Sequence, residues 1–315
     1  MSRAITFSEY GAPEVLRQAE VPLPEPGPGQ VRIRVRAASV NPLDLKIRSG
    51  AMAGAFPVRF PMVPGLDAAG VVDAAGENAG AAVGDAVLGA TVGGSYAAYA
   101  LLQGPVAKPA ALPFEVAASL VTVGRTAARV LGELGVRAGT TLLVHGAGGS
   151  VGILAVQLAA ARGLTVVATA GEHDFERVTA LGATAVRYGD GWPQRVRDAA
   201  PQKVDYVLDA SGAGVLADSV ALTGDSARVV TIADMSAAEH GVRFSAGTTP
   251  AGRDGQAGQG GQGGRAEDPL PELARMAAAG TLTLPVWRTY PLDEAAAAHA
   301  DLEAHRNHGK TVLLP

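Results

Sequence analysis

The chain has no cysteine in 315 residues. That excludes disulfides and thiolate metal sites, and it suits a reducing compartment, so a cytoplasmic protein is expected. Aromatic residues are scarce, at 4%. With 41 glycines and many alanines, the core has to be built from Ala, Val and Leu packed at short distances. A positive charge excess is missing too. The net charge is −4, which argues against a binder of nucleic-acid phosphates. The one basic stretch, 31–37, alternates strictly, with Arg32, Arg34 and Arg36 on one face and Val31, Ile33 and Val35 on the other. That is the pattern of a half-buried strand with a solvated side. No run suits a bilayer span, since the most apolar stretch, 151–161, is too short. The opening MSRAITFSEY lacks the basic-then-apolar order of a signal peptide.

What is present is organised around residues 141–162, TLLVHGAGGSVGILAVQLAAAR. A short β-branched and aliphatic run is followed by a glycine turn and then by apolar residues Val151, Leu154, Val156 and Leu158 at near-helical spacing. Strand, glycine turn and helix form the first unit of a dinucleotide-binding fold. Gly146, Gly149 and Gly152 are three apart. They allow a tight turn, close approach of backbone to a pyrophosphate, and close helix–strand packing. The helix start at Ser150 and Val151 offers free N–H groups to the phosphates.

Length suggests about two domains. Residues 1–116 read as short strands broken by Gly and Pro turns, clearest at 4–7, 31–40 and 69–73. A helix is expected over 115–134, followed by strands at 165–169, 185–188, 204–209 and 227–232. These alternate with helices at 174–181, 194–199 and 215–222, which implies a parallel sheet covered on both faces. The Gly/Gln-rich tract at about 247–268 has no apolar periodicity and reads as a flexible insert. A helix at 270–279, a strand at 284–289, a helix at 292–304 and a strand at 311–314 close the chain.

Several stretches together resemble the zinc-free, quinone-oxidoreductase-like branch of the medium-chain dehydrogenase/reductase family. They are AASVNPLDLKIRSG (37–50), PMVPGLDAAGVV (61–72), VGDAVLG (83–89), GSYAAYA (94–100), the HGAGGSVG turn, LGA (181–183) and GKTVLL (309–314). The resemblance implies a mixed α/β architecture. A GroES-like β-domain (1–115 and 285–315) carries catalysis, and a doubly wound Rossmann domain with a parallel sheet (116–284) binds the cofactor. In that family the active cleft lies between the two domains. A small-molecule substrate and a homodimer are implied as well.

Where the zinc-dependent branch has Gly-His-Glu, this chain has Gly65, Leu66 and Asp67. Leucine cannot ligate a metal, so Asp67 reads as a structural carboxylate and no metal is expected. His145 reads as a strand-end residue, and His299, His305 and His308 as a solvated helix face and loop. The second strand of the Rossmann unit ends at Thr169 and Ala170 without an acid at its tip, which favours NADPH, with NADH as the alternative. By resemblance, Thr169, Gly171, His173 and Tyr188 surround the 2′-phosphate. Thr126 lies beside the nicotinamide, and Ser211 and Ile232 stand at strand ends that touch ribose and nicotinamide. For the chemistry, the resemblance places Asn41, Asp44 and Lys46 near the nicotinamide and substrate. Asn41 would bond a substrate carbonyl, Lys46 would stabilise a developing oxyanion, and Asp44 would orient Lys46 or a backbone group. The competing reading makes Asn41-Pro42 a turn and Asp44 a helix cap. The expected activity is hydride transfer to a quinone or an α,β-unsaturated carbonyl. An enoyl or alkenal reductase of a biosynthetic pathway, and an NADPH-binding sensor or structural module without turnover, remain open.

Overall fold

A computed structural model describes residues 1–247 and 267–315. The sequence-predicted flexible insert therefore lies, from 248 to 266, outside the described residues. The chain divides into two compact units: Met1–Thr122 together with Pro250–Pro315, and Val123–Thr249.

The first unit begins with an antiparallel ribbon of β1 (Ser2–Thr6) and β2 (Arg17–Val21). Next come β3 (Gln30–Val40), helix α1 (Pro42–Arg48), β4 (Asp67–Ala75), β5 (Ala86–Val92), β6 (Tyr99–Gln103) and the short β7 (Val106–Ala107). Helix α2 (Phe114–Leu134) carries the chain across the boundary between units. Strand β3 pairs both β4 and β6, and β4 pairs β5, which pairs β6, so these four strands close on themselves. The alternation noted above holds: Val31, Ile33 and Val35 are buried, while Arg34 and Arg36 are exposed. Two register shifts, near Arg32/Ile33 and Val35/Ala37, bend β3. Its first half pairs β6, and its second half is left for the C-terminal strand. Helix α1 interrupts a region that reads by composition as strands alone. It starts where Pro42 presets φ and Asp44 accepts from the Asn41 N–H at 2.7 Å.

The second unit is a six-stranded parallel sheet. Its elements are β8 (Thr141–His145), α3 (Ser150–Ala161), β9 (Thr165–Ala170), α4 (Phe175–Ala180), β10 (Ala183–Arg187), α5 (Trp192–Ala199), β11 (Tyr206–Asp209), α6 (Leu216–Thr223), β12 (Val229–Thr231) and β13 (Arg243–Phe244). The order β10-β9-β8-β11-β12-β13 is the doubly wound 3-2-1-4-5-6 arrangement, with its switch point between β8 and β11. Helix α3 has Ile153, Leu154, Ala155, Val156, Leu158 and Ala159 buried, as a helix packed nearly all round requires.

The chain returns to the first unit as α7 (Leu270–Ala278), β14 (Val286–Pro291), α8 (Ala295–Glu303) and β15 (Lys310–Leu314). Strand β15 pairs antiparallel with β3 and parallel with β14. The observed division groups α7 with the first unit, whereas the sequence boundary at 284/285 groups it with the second. Two expected helices are shorter than the sequence suggests. Residues 172–174 form a 3-10 turn ahead of α4, and residues 292–294 another ahead of α8.

Candidate functional site

The glycine turn sits at the switch point of the parallel sheet, where ligands of such folds bind. Gly146 has φ +73, a conformation that disfavours a side chain. A Cβ at Gly152 would lie 2.4 Å from the Gly146 carbonyl oxygen and 2.7 Å from the Ala147 Cα. Helix α3 therefore approaches the turn as closely as backbone permits. Its N-cap, Gly149, supplies no side-chain bond, and the first turn holds no acid. The N–H groups at Ser150 and Val151 and the positive end of the helix dipole are left to an anion, so the turn fits a pyrophosphate.

Neighbouring strands hold this turn in place. The Ala147 N–H donates to the Thr169 carbonyl at 3.2 Å, and Ala210 N–H to that of His145 at 3.1 Å. From α4, Arg177 donates to the Gly148 carbonyl at 3.0 Å and pairs with Asp174. No acid stands at the tip of β9, but Asp174, four residues beyond it, folds back against Gly148. A Cβ there would lie 2.1 Å from the Asp174 carboxylate. Glu172 turns the other way, to Arg187 at 3.1 Å. Gly171 lies under the Tyr188 ring, which is 65% exposed, and His173 is exposed.

One row of polar side chains underlies the strand ends. Asp209 is fully buried. One oxygen accepts from Thr231 Oγ1 at 2.8 Å, and the other from the Ser211 N–H and hydroxyl and the Gly212 N–H. The Ile232 N–H donates to the Asp209 carbonyl. His145 is buried between Thr169 Oγ1 (3.0 Å) and Ser219 Oγ (3.2 Å) and packs edge-on against Trp192. The Ser219 hydroxyl already donates to the Val215 carbonyl. It must accept from Nε2–H, leaving Nδ1 to accept from Thr169. Gly146, Gly149, Ser150, Val151, Gly152, Thr169, Gly171, His173, Tyr188, Ser211 and Ile232 thus all lie at the carboxyl ends of β8–β12 or next to them. The Thr169 hydroxyl is spent on His145, and the Ser211 hydroxyl on Asp209. Thr126 lies half-buried within α2 instead.

In the first unit, Asn41, Asp44 and Lys46 separate. Lys46 is exposed on α1, whereas Asn41 and Asp44 are 2% and 1% exposed. Asp44 bonds the Asn41 backbone rather than Lys46. The Asn41 amide donates to Asp67 Oδ2 at 2.9 Å, and its oxygen accepts from Lys310 Nζ at 2.7 Å. Asp67 also accepts from the Thr122 hydroxyl at 2.6 Å. Burial raises Asp67, pushes Asp44 up to about 7 and pulls Lys310 down to about 8; each acid and the lysine partly offset that effect for the other. Among the described residues, no group of three or more His, Asp or Glu side chains is arranged to hold a metal.

His299 corrects the sequence reading. It is not on a solvated helix face but wholly buried, between Tyr96 Oη (3.0 Å from Nε2) and Arg48 (3.4 Å from Nδ1). The sequence places it on an alanine-rich helix without saying which side faces inward. Arg48, also buried, bonds the Gly11 carbonyl and Glu303. Burial, and for His299 the Arg48 charge, hold His145 down at about 4 and His299 at about 3. A histidine kept neutral takes up its proton only on unfolding, so stability falls as pH drops from 6.5 towards the folded value. At about 1.4 kcal/mol per pKa unit, each contributes a loss on the order of 3 kcal/mol. In the first unit Asp44 opposes this. Its raised folded pKa makes the native state gain a proton over the same range, and stability rises as pH falls. The second unit is therefore expected to unfold first in acid. Trp192 fluorescence, followed from pH 7 to 4 in a Trp287→Phe background, should report the transition, and His145→Gln should flatten it. An acid transition unchanged by that substitution would refute the assignment.

Sequence reasoning missed Lys310, which opens an otherwise apolar strand and whose only signal was its place in the GKTVLL match. Arg177 and His173 are the cations that the sequence sets near the end of β9, and the structure brings Arg177 against the glycine turn.

Comparison with known proteins agrees with both units. Residues 27–110 match the family model "Alcohol dehydrogenase GroES-like domain" and residues 181–313 the model "Zinc-binding dehydrogenase". A quinone oxidoreductase of Lama guanicoe is 32% identical over 325 residues, covering 100% of this chain and 98% of that protein. The solved quinone oxidoreductase of Coxiella burnetii superposes with a TM-score of 0.81 at 29% identity, covering 100% of this chain and 99% of that one. A mycobacterial protein solved in complex with NADPH superposes at 0.79 and 28% identity, over 100% of both chains. With a GroES-like β-domain, a doubly wound dinucleotide fold and a relative similar along its whole length, this chain belongs to the quinone-oxidoreductase-like branch of the medium-chain dehydrogenase/reductase family.

Proposed function

We propose that this chain is an NADPH-dependent reductase, working without zinc, that transfers hydride to a quinone or an α,β-unsaturated carbonyl. The observation that carries this reading is the uncapped start of α3, packed on the glycine turn at the switch point of the sheet. When bound, the nicotinamide supplies the hydride. The chain's own residues bind and orient. Gly146, Gly149 and Gly152 leave room for the pyrophosphate, and Ser150 and Val151 donate to it. We assign the 2′-phosphate to Arg177, His173 and Tyr188. Both acids of their loop are already paired, Glu172 with Arg187 and Asp174 with Arg177, which lowers the repulsion of a phosphate. We assign Thr126, Ser211 and Ile232 to the nicotinamide half.

At the acceptor, Asn41 keeps one amide hydrogen beyond its bond to Asp67, and we assign it to the acceptor's carbonyl oxygen. Lys46, exposed on α1, stabilises the oxyanion that forms as hydride arrives. Asp44 holds the N-terminus of α1 rather than moving a proton. A homodimer fits the edge of β13, the last strand of the parallel sheet, where Phe244 is 38% exposed. The absence of cysteine suits the cytoplasm.

Cofactor absorbance during turnover with a quinone panel and an enone panel tests the reading, with NADPH and NADH compared. Acceptor-dependent oxidation of NADPH is expected. Tight NADPH binding without any such oxidation would favour the sensor reading. Lys46→Ala should lower kcat by about 100–1000-fold with NADPH affinity intact, and unchanged turnover would remove Lys46 from the mechanism.

A further inference from the structure

The stretch 309–314 carries part of the family resemblance, yet nothing in the reading above uses it. Its single charged residue, Lys310, is the first of β15 and only 3% exposed. The pairing of Thr311 with Val40 sets it beside the end of β3. There Nζ donates to the Val40 carbonyl at 3.1 Å and to Asn41 Oδ1 at 2.7 Å. A strand residue in an apolar setting needs only a hydrophobic side chain. A buried ammonium is disfavoured unless its charge and its donors are used.

The use is legible in the Asn41 amide. An amide has two orientations that exchange oxygen and nitrogen, and packing scarcely separates them. Here the surroundings do. Lys310 is a donor only, and an ionised Asp67 an acceptor only. One orientation satisfies both, with oxygen on Lys310 and nitrogen on Asp67. The reverse sets N–H groups against an ammonium and a carbonyl against a carboxylate. Asp67 is itself anchored by the Thr122 hydroxyl, and Asp44 adds a second carboxylate charge near Lys310. Three elements, β4, β15 and the start of α1, thus converge on one amide.

We propose that Lys310 is a positioning residue for acceptor reduction: it holds the Asn41 amide in the single orientation that leaves an N–H for the acceptor's carbonyl oxygen. The inference rests on the assignment of Asn41 above. Lys310 touches neither acceptor nor cofactor in this role. Loss of Lys310 frees the amide to turn, and misorientation of a group that meets the reacting oxygen costs about 10–100-fold in rate.

The test is a double-mutant cycle on the full chain with NADPH and a quinone, using Asn41→Ala, Lys310→Met and the double variant, with Lys310→Gln alongside. The readouts are kcat, NADPH affinity by fluorescence titration, and melting temperature. Lys310→Met is expected to lower kcat by about 10–100-fold while NADPH affinity is unchanged. Lys310→Gln keeps an N–H donor and should recover part of the rate. The double variant should be no slower than Asn41→Ala alone, because both changes remove one function. Wild-type kcat in Lys310→Met overturns the inference. So does a double variant slower by the product of the two single effects, since Lys310 would then act independently of Asn41. If Lys310→Met does not fold, Lys310→Gln takes its place in the cycle: a loss of kcat beside Asn41 that disappears in the Asn41→Ala background supports the inference, and an equal loss in both backgrounds, or none in either, overturns it. Unchanged kcat in Asn41→Ala would instead overturn the assignment of Asn41, and the inference with it.

Discussion

Gly152→Ala is expected to abolish useful NADPH binding. The added Cβ meets only backbone, at 2.4 Å from the Gly146 oxygen, 2.7 Å from the Ala147 Cα and 3.0 Å from the Gly146 carbonyl carbon. No side chain can swing aside, so α3 and the turn must separate. Overpacking of this kind costs about 1–3 kcal/mol of stability. The larger effect falls on the cofactor. The α3 N–H groups and the turn have to face the same pyrophosphate, and spreading them should weaken binding by about 10–100-fold or more. Fluorescence titration with NADPH measures this directly. Gly132→Ala serves as the control. Gly132 lies in α2 with nothing within 4 Å of a Cβ, so alanine there should stabilise by about 0.5–1 kcal/mol. Wild-type affinity in Gly152→Ala would show that α3 does not carry the phosphates.

Asp67→Ala is expected to be the most damaging single change in the first unit. It removes the acceptor for the Asn41 amide and for the Thr122 hydroxyl, and it takes a counter-charge from the buried ammonium of Lys310. Breaking a buried ion cluster by deleting one member costs about 3–5 kcal/mol, because the survivors stay desolvated and unpaired. In a domain of this size that is a fall of about 6–20 °C in melting temperature. Trp287, which lies in β14 of the same unit, reports the transition by fluorescence. Asp67→Asn should be milder, since an amide keeps one oxygen for Asn41 or Thr122. A fall of less than about 2 °C in Asp67→Ala would show that the cluster contributes little to the fold.

Most of the architecture was legible because it is periodic. The alternation of Val31, Ile33 and Val35 with three arginines names a half-buried strand, and the β–α rhythm after residue 140 implies a parallel sheet. The glycine turn was legible for a stricter reason. Its spacing meets a steric requirement, and the contacts of Gly146 and Gly152 show that requirement at work. Helix ends were less legible. At residues 172–174 and 292–294 a 3-10 turn precedes the α-helix, and apolar spacing does not separate the two at one turn's length.

The polar interior was least legible. His299 sits in a run of alanines, and no periodicity distinguishes the face that packs on Tyr96 and Arg48 from the one in solvent. The contact of Asp174 with Gly148 was not legible either, because the sequence shows where β9 ends and not where the next turn folds back. Lys46 drew attention as the cation beside Asp44, but on a helix residues two apart do not share a face. Asp44 and Arg48, four apart, are both buried, and they bond different partners.

The sequence by itself determined the strand–turn–helix that receives a dinucleotide and the change from a β-rich half to an alternating β–α half, because these rest on local sterics and repeated apolar spacing; the family followed from the resemblance of its motifs. Only the tertiary structure decided which charged residues go inside. The glycine turn is fixed within about ten residues of chain, whereas Asn41, Asp67, Thr122 and Lys310 meet across nearly the whole of it. Strand register brings Lys310 to Asn41 over 269 positions. A lysine in a strand has no local signature for burial; it goes inside where distant carboxylates and an amide compensate its charge and donors.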